Sequence, residues 1–283
     1  HQKVFFNAKK YAKKNKLKFG ILTFSPLPVM FFNKKIKNHR LTSEYQKFKL
    51  FKKYKVDFAI NIKFNKFFSR ITADNFIKNI IYKKITPKLI FVSSNFKFGN
   101  KRKGNVKLLK KYEKKYNYRL LKINPQKYKK KIISSTRIRK CLKTGNIDLA
   151  NKLLSKTWFI EGSVISGKKL GRKLGYRTCN IRIKDYVLPK IGIYAARVAI
   201  GNNKRLHSGV AYLGSRPTFK GKDLFLEINI FGIKKNLYKK RLKVYFLKYI
   251  RYDKKFRNSA ELIKQMNKDV ILAKKGLKTK LIV

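Results

Sequence analysis

At 283 residues the chain has room for two ordinary domains, each able to bury its own core. Apolar residues at 43% and aromatics at 14% exclude a disordered chain, despite a formal net charge of +63 from 75 Lys and Arg against 12 Asp and Glu. The lysines are spread from end to end without a stripe or tail, so they read as compositional drift ahead of a nucleic-acid surface. Cys141 and Cys179 stand in different segments with no paired spacing and support neither a disulfide framework nor a zinc site. A reducing cytoplasm is therefore the expected compartment. No apolar run approaches the ~18–20 residues of a membrane helix, and no signal-peptide pattern is present. The chain opens on His1 rather than Met, and a preceding segment is expected.

In chain order, Gln2–Lys14 places Val4, Phe5, Ala8, Tyr11 and Ala12 on one helical face. A short buried strand, Phe19–Phe24, ends at Pro26. Then follow a helix near Ser43–Lys53, a strand Asp57–Ile62, a helix Ala73–Lys84 with Thr72 as N-cap, and a strand Leu89–Val92. A helix Asn105–Lys115 and a strand Tyr118–Ile123 complete the alternation, which predicts a doubly wound parallel α/β sheet. Ile133–Arg139 opens a helix that stops at Gly145, and Ile147–Leu154 is a second short one. Beyond Trp158 the texture changes to strands: Trp158–Ser166, Ile193–Ala199, Ser208–Leu213, Leu224–Phe231 and Leu242–Tyr249. A closing helix, Ser259–Ala273, carries Leu262, Ile263, Met266, Val270 and Ile271 at helical spacing. This half predicts an antiparallel β-barrel with a C-terminal helix, and the boundary is expected near 155.

Four of the fifteen glycines fall in residues 162–180, a run that closes on two neutral oxygen ligands, Thr178 and Asn180. Glycines allow close backbone approach to phosphate oxygens. Mg²⁺ needs few protein ligands beside those oxygens, and two residues apart on an extended strand lie on one side of it. Downstream, Glu227 is the single carboxylate of an apolar strand, sharing a face with Phe225, Asn229 and Phe231. A half-buried acid there suits the base that takes a proton from an attacking hydroxyl.

The stretch from Gly162 to Asn180 resembles the start of the riboflavin kinase domain, whose hallmark is Pro-Thr-Ala-Asn after Gly-Phe or Gly-Tyr. Further segments follow in the family's order: Leu188-Pro189, Gly192–Ala195, Gly209–Ala211, Gly214–Phe219, Leu226-Glu227, Leu237-Tyr238, and Arg251 with Phe256. The resemblance spans 156–283. It implies that Gly167, Gly171, Gly175, Thr178 and Asn180 bind the ATP phosphates, that Thr178 and Asn180 hold Mg²⁺, and that Glu227 activates the ribityl 5′-hydroxyl. Arg251 and Phe256 would lie near the flavin. Two positions depart from the hallmark: Arg177 stands for Pro, freeing φ, and Cys179 for Ala.

The first half, 1–155, is similar to the FMN adenylyltransferase domain of bacterial bifunctional FAD synthetases, a Rossmann-like nucleotidyltransferase. Thr23–Pro28 resembles Thr-Phe-x-Pro-His-Pro with Leu27 for His. Ser94–Gly99 resembles the family's Phe-x-Phe-Gly segment, with Ser93 for Gly, and Ile133–Arg139 matches Ile-Ser-Ser-Thr-x-Ile-Arg outright. Hydroxyls and a cation at a helix N-terminus suit an anion site, so Ser135, Thr136 and Arg139 would meet ATP phosphates. Phe24, Pro26, Pro28, Asn95 and Phe98 would form the flavin slot. His1-Gln2 looks like the end of the superfamily's His-x-Gly-His motif, making His1 a catalytic candidate. The resemblance implies ATP-dependent phosphorylation of riboflavin to FMN, then adenylylation of FMN to FAD, with Mg²⁺ in both. Two alternatives stand beside it: a riboflavin kinase with a degenerate adenylyltransferase domain, and a basic nucleic-acid-binding protein. No nucleic-acid role and no membrane partner are expected on the main reading.

Overall fold

A computed structural model describes residues 1–36, 38–166, 175–183, 185–203, 205–218, 221–279 and 281–282. The chain forms two compact units: His1–Ile36 with Glu44–Ile133, and Lys37–Ser43 with Ser134–Val283.

The first unit opens with helix α1 (Gln2–Lys14) and strand β1 (Gly20–Ser25), then α2 (Pro28–Phe32) and α3 (Glu44–Lys53). Strand β2 (Phe58–Lys63) pairs in parallel with β1, Gly20 opposite Phe58. After the short helices α4 (Lys66–Ser69) and α5 (Ala73–Asn75), the chain winds on as a π-helix, Phe76–Ile85. Strand β3 (Leu89–Ser93) leads to a small antiparallel pair, β4 (Lys97–Phe98) and β5 (Gly104–Asn105), and to α6 (Val106–Lys111). Strand β6 (Arg119–Ile123) pairs in parallel with β3, and β7 (Lys127–Tyr128) with β8 (Lys131–Ile132) forms a final hairpin.

Successive strand side chains point to opposite faces, and here both faces are covered. Ile21 of β1 and Phe91 of β3 pack with Ala8, Ala12 and Phe5 of α1. Their neighbours Leu22, Ile90 and Val92 pack on the other side with Phe76, Ile77, Ile81 and Leu109. Helices on both faces of parallel strands are the doubly wound architecture that the alternation predicts. Thr72 caps its helix as expected, its Oγ1 accepting from Asn75 N at 3.2 Å. The helix predicted over 105–115 stops at Lys111 instead. Tyr112 and Tyr116 lie beyond the helix and stack on each other, Tyr116 also stacks on Tyr82, and the Tyr112 hydroxyl donates to Asp74 at 2.6 Å.

The second unit begins with α7 (Ser135–Lys143) and α8 (Ile147–Leu154), with Gly145 between them at φ +79°. Its strands are β9 (Phe159–Ile165), β10 (Thr178–Arg182), β11 (Gly192–Ile200), β12 (Leu206–Thr218), β13 (Gly221–Ile230) and β14 (Arg241–Arg251). They close a six-stranded antiparallel barrel in the order β10-β13-β12-β11-β14-β9. Ile160, Ile181, Ala196, Val198, Ala211, Leu213, Leu226, Ile228, Val244 and Phe246 are all fully buried. Helix α9 (Ser259–Gly276) lies against the outside, with Ala273 packed on Ala195 and Leu247.

The units divide between Ile133 and Ser134, earlier than the boundary near 155 read from texture. Helices α7 and α8 cluster with the barrel because their polar groups are satisfied there. Asn151, 6% exposed, donates to Phe246 O at 3.0 Å and accepts from Trp158 N at 2.8 Å, while Lys190 N donates to Leu142 O. Asn151→Ala strands two buried backbone groups and is expected to lower stability by about 2–4 kcal/mol in urea unfolding; a loss within error of zero would remove Asn151 from this role.

Candidate functional site

The barrel register builds the site. Strand β10 runs antiparallel to β13 with Thr178 opposite Asn229 and Asn180 opposite Glu227. Directly opposed residues share a face, so Thr178, Asn180, Glu227 and Asn229 all leave the outer side, while Ile181, Leu226 and Ile228 fill the interior. The Thr178 hydroxyl donates to Glu227 Oε1 at 2.5 Å, and Glu227 is half-buried, as its strand pattern predicts.

Asn180 is 7% exposed, and its buried Oδ1 has no hydrogen-bond partner among the described residues. An uncharged oxygen held dry and unpaired beside a hydroxyl suits a hard cation that keeps most of its own water. No described cluster of three His, Cys, Asp or Glu side chains offers a rival metal centre. Gly175 is in the left-handed region, φ +81°, whereas Gly167 and Gly171 lie outside the described residues.

Thr178 stands between two cavities. One, of about 340 Å³, is walled by Thr178, Glu227, Asn229, Tyr212 and Val210 of the barrel, by Arg251 and Phe256, and by Leu262, Met266 and Val270 of α9. Three residues of the apolar stripe read along the closing helix, Leu262, Met266 and Val270, therefore wall this cavity, whereas Ile263 is not among its lining and Ile271 is exposed. The other cavity, of about 320 Å³, is lined by Arg177, Cys179, Lys235, Asn236 and Tyr238, with Thr178 again at its edge. Burial pushes the Cys179 thiol pKa up, so the thiol stays protonated there.

Side chains from three elements hold the strand leading into Thr178. Arg177 spends its guanidinium on Lys234 O, its own carbonyl accepts from Asn229 Nδ2 at 2.8 Å, and the Tyr176 hydroxyl donates to Asn267. Arg251 sits with its guanidinium carbon 5.9 Å from the Phe256 ring centre, and is tied to Asp269 by two bonds of 2.7 and 2.6 Å. Asp269, 3% exposed, also accepts from Gln265. Tyr212, Asn229, Asp253 and Asp269 were not singled out by sequence reasoning as site residues. Only Asp269 left a signal, as an acid among the apolar positions of α9.

Against this geometry, one family model, riboflavin kinase, matches residues 154–277, and another, FAD synthetase, matches 1–137. A bifunctional riboflavin kinase/FMN adenylyltransferase of Buchnera aphidicola from Schizaphis graminum is 39% identical over 97% of this chain and 89% of its own. Those of Haemophilus influenzae and Escherichia coli K12 are 34% and 30% identical over 97% of this chain, and over 89% and 87% of theirs. The chain belongs to the bifunctional riboflavin kinase/FMN adenylyltransferase family. A solved structure described as a macrolide-efflux protein from Streptococcus pneumoniae has the same fold: TM-score 0.83 at 27% identity, over 97% of this chain and 89% of that one. The efflux description is that protein's own. Among the described residues here, no helix is long and apolar enough to cross a membrane.

The residues expected on the FAD synthetase side divide between the two units. Phe24 is half-buried against Phe64 and Phe68, Pro26 is exposed, and Pro28 begins α2. Asn95 is exposed and accepts from Ser93 Oγ at 2.6 Å. Phe98 is 7% exposed, packed between Phe76 and Phe96; it is a core residue, and Phe96 beside it is the more open ring. His1 is exposed at the start of α1.

In the second unit, Ser134 caps α7 and Ser135 and Thr136 occupy its first turn. Arg139 donates from Nε to His39 O at 2.8 Å. His39 is half-buried, and burial with the neighbouring Arg139 and Lys143 charges lowers its pKa.

Breaking a buried ion pair leaves its partner's charge uncompensated. Asp269→Asn is therefore expected to cost about 3–5 kcal/mol in denaturant unfolding. An unchanged midpoint would show that Arg251 does not depend on Asp269.

Proposed function

We infer that this chain transfers the γ-phosphoryl group of ATP to riboflavin, giving FMN and ADP, and then joins FMN to ATP, giving FAD and pyrophosphate. The observation that carries the first step is the Thr178–Glu227 pair at the junction of the two cavities, in a chain matched along nearly its whole length by bifunctional relatives. The apolar cavity under α9 takes the isoalloxazine ring, and the polar one, with Arg177 and Lys235, takes the nucleotide. Riboflavin's 5′-hydroxyl then reaches Glu227, which accepts its proton as oxygen attacks phosphorus. Thr178, donating to Glu227, orients that carboxylate.

Thr178 and Asn180 would hold Mg²⁺. When bound, it neutralises charge on the phosphates. The side chains do the rest by positioning, which is most of what phosphoryl transfer asks of a protein. Arg251 and Phe256 border the flavin. Gly167, Gly171 and Gly175 belong to the phosphate loop.

We assign adenylylation to residues 1–155 and the kinase to 156–283. In the former, Ser135, Thr136 and Arg139 meet ATP phosphates at the α7 N-terminus, and His1 stabilises the transferring α-phosphate. Phe24, Pro26, Pro28 and Asn95 border FMN, with Phe98 supporting them from the core. The two free thiols and the ATP requirement favour the cytoplasm. A matched FAD synthetase model weighs against both the kinase-only and the nucleic-acid alternatives.

Glu227→Gln is expected to cut FMN formation about 10²–10⁴-fold with an unchanged circular dichroism spectrum; parental turnover would refute the base. Asn180→Ala should raise the Mg²⁺ concentration for half-maximal rate, and a titration superimposing on the parent's would remove Asn180 from the metal site. Chromatography after incubating riboflavin with ATP and Mg²⁺ is expected to show FMN first and FAD second. FMN accumulating with no FAD would leave the kinase alone.

A further inference from the structure

Tyr212 has no part in the chemistry above, yet it stands beside the acid on which that chemistry turns. On β12 it is directly opposite Glu227, so the two side chains leave the same face. Its ring does not stand straight out but lies along its own strand, over Gly214. A Cβ at Gly214 would fall 2.4 Å from both Cζ and the hydroxyl of Tyr212, so only glycine leaves the ring this room. Phe225 meets the ring edge-on at 5.7 Å. At its far end, the Tyr212 hydroxyl donates to Asp253 Oδ2 at 2.7 Å.

Asp253 lies in the stretch between β14 and α9, which has no regular backbone pairing to hold it. That stretch carries Lys254 and Phe256 to the 340 Å³ cavity. A hydroxyl bonded to a carboxylate is stronger than a neutral pair, and this one joins barrel wall to covering segment across the mouth of the cavity.

We propose that Tyr212 is a positioning residue for the flavin. Through Asp253 it fixes the segment bearing Phe256, and its ring sets the width of the cavity beside Glu227. The proposal rests on the reading of that cavity as the riboflavin site.

The test uses the full chain. Riboflavin binding is followed by flavin fluorescence without ATP, and initial rates of FMN formation are taken over both substrates. Tyr212→Phe keeps the ring and removes only the hydroxyl; it should weaken riboflavin binding and raise its KM about five- to tenfold, with kcat and the KM for ATP changing far less. Asp253→Asn should do the same, and the double variant should lose no more than either alone. Riboflavin binding unchanged in Tyr212→Phe, or losses that multiply in the double variant, would overturn the proposal. So would a fall in kcat and in both affinities together with a lowered melting temperature, which marks a merely structural role. A parent chain that neither binds nor phosphorylates riboflavin would overturn the site reading itself, and this proposal with it.

Discussion

The pairing of β10 with β13 is the constraint on which the site depends. Side chains alternate along a strand, so a slip of β10 by one residue against β13 would turn Thr178 and Asn180 into the barrel and Ile181 out of it. Ile181 is fully buried against Leu226 and Ile228 of the barrel interior, so such a slip would expose a large apolar side chain and turn two polar ones into an apolar core. The register that fills the interior therefore also delivers the Thr178 hydroxyl to the Glu227 carboxylate. Apolar packing inside the barrel and polar chemistry outside it are set by one geometric choice.

That choice explains why the cavity lies against the barrel and not within it. Side chains such as Val244 and Phe246 fill the middle of the closed six-stranded barrel. A ligand site needs a second wall, and α9 supplies it. The helix is amphipathic in a divided way: Ala273 near its C-terminal end packs on Ala195 and Leu247, while Leu262, Met266 and Val270 face the cavity. The Arg251–Asp269 pair ties the last barrel strand to the helix between those two regions. Buried ion pairs add little net stability against apolar replacements, but they tolerate few geometries. Here that selectivity holds the lid at a fixed distance from the wall.

Much of this is legible in the sequence, because local pattern carries it. Alternation marks β13 and singles out Glu227; helical spacing marks α1 and α9; a hydroxyl cap marks Thr72. What local pattern cannot carry is allegiance. Helices α7 and α8 read as a continuation of the α/β half, yet Asn151 is satisfied by Phe246, 95 residues away. Phe96 and Phe98 are the same residue type two positions apart; Phe96 is half-buried at the margin of the core, while Phe98 lies in it against Phe76. The stripe on α9 was visible, but not whether it faced a core or a cavity. Tyr212 was invisible for the same reason: its partner Asp253 lies 41 residues on, and the room for its ring comes from a glycine whose purpose appears only when the ring is placed.

The net charge of +63 adds a condition that the site has to satisfy. In so basic a chain any carboxylate experiences a strongly positive surrounding field, and an exposed one attracts whichever lysine is near. Long lysine side chains give loose, screened pairs of little directional value. Three acids of the second unit instead accept from hydroxyls or from a planar guanidinium fork, which give direction as well as contact. Glu227 takes the Thr178 hydroxyl, Asp253 the Tyr212 hydroxyl, and Asp269 the fork of Arg251. Threonine and tyrosine hydroxyls orient a carboxylate without neutralising its charge. The two acids beside the cavity therefore differ in what holds them: Asp269 takes a guanidinium fork, whereas Glu227 accepts from a hydroxyl.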